Sequence, residues 1–343
     1  MKYFLLILLP LLPAVVSARV ITVNNNAGSP SVFSNLQTAV DSAANGDTLY
    51  VQGSQTDYGN VTITKRLVLI GAGYRPNKSN PLPSKLNIVA IDSVATGANA
   101  GESASGTVLM GFEISKLGSL NNLYLRQVLI KRNRFIKNPN FNFAGISLLL
   151  VNSTIEQNIF DTSSATDFDL GLATNCLIRN NIIGCPFRNS SGGAVLINNV
   201  FVGQANAFVN VSNALVANSI FYGMAPQGCS SSTFSNNMTF NTSNNTLPYG
   251  TNGGSGNFNG TNPQFVNVTQ YVFDYTQDYR LQSSSPGKAA GTDATDIGLY
   301  GGGAPMPAYG GEPPIPQIKS FTVAPVVKKN STLQINVKAK KQD

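Results

Sequence analysis

Val128-Leu-Ile-Lys-Arg-Asn-Arg-Phe135 is followed by Ser153-Thr-Ile-Glu-Gln-Asn-Ile-Phe160, Leu177-Ile-Arg-Asn-Asn-Ile-Ile183, Val195-Leu-Ile-Asn-Asn-Val-Phe201 and Leu215-Val-Ala-Asn-Ser-Ile-Phe221. A looser copy, Phe234-Ser-Asn-Asn-Met-Thr-Phe240, comes next. Each copy runs from apolar residues through polar ones to an asparagine, one further residue and a large apolar side chain. The closing positions 135, 160, 183, 201, 221 and 240 lie 25, 23, 18, 20 and 19 residues apart. Asn133, Asn158, Asn181 and Asn199 keep that rhythm; in the fifth copy Asn218 falls one place early and Ser219 holds the register. A period of about 20 with short β-branched strands and Gly/Asn/Ser turns predicts a parallel β-solenoid, with about three strands per coil and equivalent positions stacked ~4.8 Å apart. Phe135, Phe160, Phe201, Phe221 and Phe240 are then expected to form an internal aromatic stack, with Ile183 filling one rung. The asparagines are expected to form a turn ladder, because Asn tolerates the left-handed conformation and its amide can bond the copy above.

Working outward, strand-like runs precede the repeats at 48–51, 61–64, 67–70, 86–91 and 108–114. Residues 35–44 read as one helix with an apolar face of Leu36, Ala39, Val40 and Ala43; Ser34 with Gln37 resembles a capping box, and Gly46 follows the end. Such a helix would cover the open edge of the first coil. Beyond Phe240 an Asn/Gly/Ser/Thr-rich stretch reads as a long loop to Asn262. The expected organisation is a leader at 1–18, a solenoid domain at 19–302, a Pro/Gly linker at 303–318 and a basic β-hairpin-like tail at 319–343. A lone hairpin is marginal in water, so the tail is expected to dock on the solenoid or on a surface partner.

The chain has 343 residues, 23 Lys+Arg against 16 Asp+Glu, a formal charge of +7, and neither His nor Trp. Without His there is no Ser-His-Asp triad, His-ligated zinc or imidazole base. One cation, Lys2, lies in a leader-like start with an apolar run Phe4–Val16 and small residues Ser17-Ala18, which predicts export, to the periplasm or the cell surface. No stretch is long and apolar enough to span a bilayer. Six lysines fall in the last 25 residues, so residues 19–318 carry 16 basic and 15 acidic groups. The body is electrically balanced, which argues against a nucleic-acid partner. Cys176, Cys185 and Cys229 have no metal-ligand spacing; they read as small buried apolar residues, with a Cys176–Cys185 bridge as the alternative.

The residues Leu36-Gln-Thr-Ala-Val-Asp41, Gly46-Asp-Thr-Leu-Tyr-Val51 and Leu69-Ile-Gly-Ala-Gly73 resemble the N-terminal turn of the right-handed parallel β-helix (pectin-lyase-like) superfamily. Tyr279-Arg-Leu, Ser285-Pro and Asp296-Ile-Gly-Leu-Tyr300 are similar to the end-cap of secreted bacterial β-helix proteins of Bacteroidetes type. There Ser-Pro is usually followed by Ala-Ile-Asp-Ala-Gly, and Gly287, Lys288 and Ala289 replace the first three here. The resemblance spans roughly Val20–Tyr300 and implies an all-β right-handed parallel β-helix that is exported and has a polysaccharide or cell-surface glycan as its partner.

Two active readings compete with a passive one. A lyase acting on uronic acids needs a cation for the carboxylate and an Arg or Lys base; the candidates are Arg126, Lys131, Arg132, Arg134, Lys137 and Arg179. Lys131, Glu156 and Arg179 occupy equivalent positions on three coils, so a surface ion ladder explains them equally. Asp161, Asp167 and Asp169 could gather around Ca²⁺, although aspartates are ordinary turn residues. Asp167-Phe-Asp-Leu-Gly171 is similar to a pectinesterase catalytic strand, yet the companion Gln and Arg-Pro-Trp elements are missing, as is the His of a polygalacturonase-like site. Tyr249, Tyr271, Tyr275 and Tyr279 could stack on sugars or pack at the C-terminal end. With no complete catalytic set, the favoured expectation is a non-catalytic carbohydrate-binding or surface-interaction protein, and the rival is a polysaccharide lyase.

Overall fold

The computed structural model describes residues 18–73, 82–93, 103–121, 123–136, 144–161, 166–171, 173–307, 317–324 and 326–340. Residues 1–17 of the expected leader and Lys137 lie outside them. Among the described residues the chain is an all-β parallel solenoid with one short helix. Among the described residues, sheet 1 has ten strands, running in order from Val20–Val23 and Thr48–Val51 to Leu215–Ala217 and Thr233–Ser235. Each is hydrogen-bonded in parallel to the strand one coil away. Sheet 2 has thirteen strands and forks at the long strand Phe112–Gly118. One branch continues through Arg134–Phe135, Ile159–Phe160, Ile182–Ile183, Val200–Val202, Ile220–Tyr222 and Met238–Phe240; the other continues through Ala144–Ser147, Thr166–Asp169, Phe187–Arg188 and Phe208–Val209. The run 108–114 is two strands rather than one. Gly111 makes the corner at φ 81°, and a Cβ there would lie 2.9 Å from the carbonyl oxygen of Gly71.

The core lies inside the coil. Most sheet 1 strands are three residues long and point only their middle side chain inward, giving the fully buried column Leu49, Leu69, Leu109, Ile130, Ile155, Ile178, Leu196, Val216 and Phe234. The aromatic stack forms as expected over most of its length: Phe135 and Phe160 stack at 4.7 Å, as do Phe201 and Phe221, with Ile183 in register between the two pairs. Phe240 leaves the stack. Its strand is shifted by one residue, so Thr239 faces Phe221 and Phe240 faces Tyr222. A second internal column, Ile146, Phe168, Phe187 and Phe208, runs along the other branch.

The asparagine ladder is buried, and it sits one residue past the strained position. Asn133 N–H donates to Asn158 Oδ1 at 2.9 Å, Asn158 N–H to Asn181 at 2.8 Å, and Asn181 N–H to Asn199 at 3.0 Å. Asn199 N–H then donates to the Ser219 hydroxyl, Ser219 N–H to Asn237 and Asn237 N–H to Asn257. Each Nδ2 also reaches a carbonyl of the preceding coil, as from Asn181 to Ile155 at 3.0 Å. The left-handed residues are the ones before: Arg132, Gln157, Asn180, Asn198, Asn218 and Asn236, with φ from 51° to 57°. Asn252 and Asn257 extend the ladders, so part of the stretch expected as a loop after Phe240 is a further stacked turn.

The helix is Leu36–Ser42, shorter than expected, and Asn35 caps it by accepting from Thr38 N–H at 2.9 Å; Gln37 instead bonds Asp41 and the backbone of Thr62. It buries Leu36, Ala39 and Val40 against the first strands of the solenoid. Beside it Asp47 accepts from the backbone N–H groups of Arg19 and Ala44 and pairs with the Arg19 guanidinium at 2.9 Å. Cys176, Cys185 and Cys229 are buried and form no disulfide, so the bridge reading does not hold.

Candidate functional site

The outer faces of the two sheets differ, because the chain returns over one of them. On sheet 2 the outward column begins charged, with Lys85, Glu113 and Arg134 in register, and continues apolar through Ile159, Ile182, Val200, Ile220 and Met238. Residues 265–306 run back over it and bury Phe265, Tyr279, Ile297, Leu299 and Met306 against the apolar part, a second core outside the coil.

The left-handed residues of the corner hold this return. Asn236 Nδ2 donates to the Ala290 carbonyl at 2.8 Å, Asn218 to the Thr292 hydroxyl at 3.0 Å, and Asn198 to the Asp296 and Gly298 carbonyls at 3.2 Å. Asn180 donates to Leu299 and Gly301, and Gln157 to Ala304 and Pro305. Five successive corners thus clamp five successive points of one strand-less segment, in reverse order. Gly301 permits the close approach: a Cβ there would lie 1.7 Å from the Asp296 carbonyl oxygen and 2.7 Å from Asn198 Nδ2.

The charged end of the sheet 2 column is capped as well. Arg134 donates to Asp161 at 2.6 Å, to Glu113 at 3.4 Å and to the Tyr275 hydroxyl at 3.2 Å, with its guanidinium 4.9 Å from the Tyr275 ring and 5.7 Å from that of Phe273. Burial pulls the Arg134 pKa down, but Tyr275, Asp161 and Glu113 outweigh it and the net shift is upward. A guanidinium held this way stays protonated and is a poor general base. Burial raises the Glu113 pKa in spite of Arg134 and Lys85, and raises that of Tyr275.

On sheet 1 the described residues leave an open, flat outer face. Thr48, Val68, Val108, Leu129, Thr154, Leu177, Val195 and Leu215 form one outward row; they are half-buried by their neighbours above and below, and Leu215 is 41% exposed. Beside it, next to the clamped corner, Glu156 takes Lys131 at 2.6 Å on one oxygen and Arg179 at 2.7 Å on the other. Burial raises the Glu156 pKa, but the bonds to Lys131 and Arg179 prevail and hold it below the ordinary carboxylate range.

The basic cluster therefore does not converge on one cleft. Lys131 and Arg179 share the sheet 1 ladder, Arg134 lies under the return segment, and Arg126 is exposed at another corner. The Arg132 side chain turns along the clamped corner to bond Gln157 at 2.8 Å. Among the aspartates, Asp161 holds Arg134, whereas Asp169 accepts from Gly171 N–H and from Asn189 Nδ2 at 2.7 Å. Asp167 lies in the strand Thr166–Asp169, with its side chain outside the described residues. No group of three His, Cys, Asp or Glu among the described residues is arranged to hold a metal ion. The four tyrosines pack: Tyr249 against Phe234, Tyr271 against Tyr222, Tyr275 on Arg134, and Tyr279 in the outer core. A small depression between the strand 278–281 and the return segment is lined by Tyr279, Arg280, Lys288 and Tyr300; its cations are engaged, Arg280 by Asp278 and Lys288 by Asp296 at 2.6 Å. Among the described residues no helix is long and apolar enough to cross a membrane.

No protein-family model matches this sequence, and no curated protein matches it either. Solved structures do resemble the fold. They include YbhC of Escherichia coli, at 13% identity and TM-score 0.32 over 70% of this chain and 74% of that one. A pectin methylesterase of Aspergillus niger resembles it at 13% identity and TM-score 0.29 over 80% and 93%. A pectin methylesterase mutant in complex with a hexasaccharide does so at 10% identity and TM-score 0.28 over 64% and 79%.

Proposed function

We propose that the chain is an exported, non-catalytic binding protein that holds a carboxylate-bearing polysaccharide, of the kind found on cell surfaces, along the outer face of sheet 1. The observation that carries this reading is the contrast between the two faces. The return segment occupies sheet 2, while sheet 1 presents an aliphatic row beside the Lys131–Glu156–Arg179 ladder. Two cations share one anion there, so the row keeps a positive surplus for a carboxylate, and stacked coils repeat at a spacing a linear polymer can follow. The engaged state of Arg134 and Lys131 weighs against a lyase base.

The test is a glycan array probed with the purified full chain and with a Lys131→Glu, Arg179→Glu double variant whose fold is checked by circular dichroism. Binding to uronate-rich glycans that weakens with salt and is lost in the variant is the expected result. Binding that is equal in the two proteins, or none at all, overturns the assignment to this face.

A further inference from the structure

The C-terminal hairpin is amphipathic and exposed. Strands Gln317–Val323 and Ile335–Lys340 pair antiparallel, with Val323 opposite Ile335 and Phe321 opposite Val337. Alternation puts Val323, Ile335 and Val337 on one side and Thr322, Asn336 and Lys338 on the other. The apolar side is in water: Val323 is 39% exposed, Ile335 50% and Val337 52%. A two-stranded hairpin in that condition gains nothing from its apolar face and is marginal by itself.

The chain leaves the solenoid beside an equally unpartnered surface. Gln157 holds the Ala304 and Pro305 carbonyls at the corner, one residue from Glu156 of sheet 1. The aliphatic row starts from that same strand. Leu129 and Leu177 are one strand away on either side, Val195 two and Leu215 three, so all lie within roughly 15 Å along the sheet. Residues 308–316 join the two parts, and a chain of that length reaches at most about 30 Å. The outer face of sheet 2 is closed to the hairpin, since residues 265–306 already fill it.

We propose that the hairpin folds back on its own solenoid and lays Val323, Ile335 and Val337 on the Leu129, Leu177, Val195 and Leu215 row, two sheets packed face to face. The tether makes the contact intramolecular, and the docked orientation leaves Asn336 and Lys338 in water. The docked hairpin covers the aliphatic row and leaves a glycan the Lys131–Glu156–Arg179 ladder beside it, so the contact is read with no glycan present and its failure is separate from that of the binding reading.

The absence of tryptophan allows a direct test in the full chain. Val337→Trp provides a single tryptophan on the apolar side of the hairpin, and Asn336→Trp one on the opposite side, each excited at wavelengths the tyrosines do not absorb. The docked hairpin predicts blue-shifted, quencher-protected emission for Val337→Trp and solvent-like emission for Asn336→Trp. Adding Leu177→Lys, with the solenoid fold verified by circular dichroism, should return the Val337→Trp emission to the solvent-like value. The blue shift should not change with protein concentration. Solvent-like emission from Val337→Trp, or a blue shift that survives Leu177→Lys, overturns the proposal. A shift that grows with concentration does so too, since a second copy would then be the occupant.

Discussion

Asn181 occupies the middle of the buried ladder, and its replacement by Ala isolates what one rung contributes. Its Nδ2 donates to the Ile155 carbonyl and to Asn199 Oδ1, both at 3.0 Å, and its Oδ1 accepts from Asn158 N–H at 2.8 Å and Asn158 Nδ2 at 3.0 Å. Asn158 Nδ2 keeps its bonds to the Ile130 and Glu156 carbonyls, so the main casualty of Asn181→Ala is the buried Asn158 N–H. Leaving one buried donor unmet costs about 1–3 kcal/mol, and the lost Ile155 bond about 0.5–1.5. The three-atom void adds about 1 kcal/mol. Together these predict a destabilisation of about 2.5–5.5 kcal/mol. The control is Asn267→Ala, at an exposed position of ordinary backbone conformation where Nδ2 makes one 3.1 Å bond to the Thr276 carbonyl; it should cost less than about 1 kcal/mol. Urea unfolding followed by far-ultraviolet circular dichroism reads both. If Asn181→Ala falls within about 1 kcal/mol of the control, the buried ladder is not a principal tie between coils.

Four further outcomes follow from the same geometry. Ser219→Asn, which restores the asparagine of the neighbouring rungs, should raise the unfolding free energy by about 0.5–1.5 kcal/mol by adding an Nδ2 donor toward the Leu196 carbonyl; a loss would show that the rung has no room. Asn198→Gly, which keeps the left-handed corner, should cost about 1–2 kcal/mol and expose residues 290–305 to protease before the coils unfold, whereas simultaneous loss of both would contradict a clamped outer segment. Glu156 and Asp47 are both held below the ordinary carboxylate range, Asp47 by the Arg19 and Ala44 bonds against its burial. The unfolded chain therefore binds their protons more tightly, and stability present above that range should drain as pH falls through it; Glu156→Gln should flatten the pH profile of the midpoint. Glu113 has the opposite sign, its pKa raised by burial, so at neutral pH Glu113→Gln should cost less than Glu156→Gln, which paired pH-dependent melts will read.

Much of the solenoid is legible because a stack repeats itself. The recurrence of Asn133, Asn158, Asn181 and Asn199 and of the following aromatic residues fixes coil length, the inward column and the Lys131–Glu156–Arg179 ladder. Two local readings fail for identifiable reasons. Phe240 ends a copy that matches by composition, but the closing side chain stands two residues after the ladder residue, so Asn237 closes on Thr239 and Phe240 falls one residue past the stack. At the helix start Asn35 offers a nearer acceptor to Thr38 N–H than Ser34 does.

The cover over sheet 2 is harder to foresee, because residues 265–306 have no period of their own. Its trace lies in the repeats: Ile159-Phe160, Ile182-Ile183, Val200-Phe201 and Ile220-Phe221 place apolar side chains on both faces of one strand, which requires a second core outside the coil. The doublets Asn180-Asn181, Asn198-Asn199 and Asn236-Asn237 divide the labour in the same way, with the first holding the return and the second the ladder. The cap on Arg134 leaves no such trace, since Tyr275 lies 141 residues away in sequence. Without that cap the cations at 126–137 read as one cluster, although the coil sends them to different faces.

The central claim is binding without turnover. Its most direct measurement is the length distribution of a uronate-rich polysaccharide after prolonged incubation with an equimolar amount of the full chain. Polymer of unchanged length that co-elutes with the protein is the result predicted here, and shortened chains bearing unsaturated ends would contradict it.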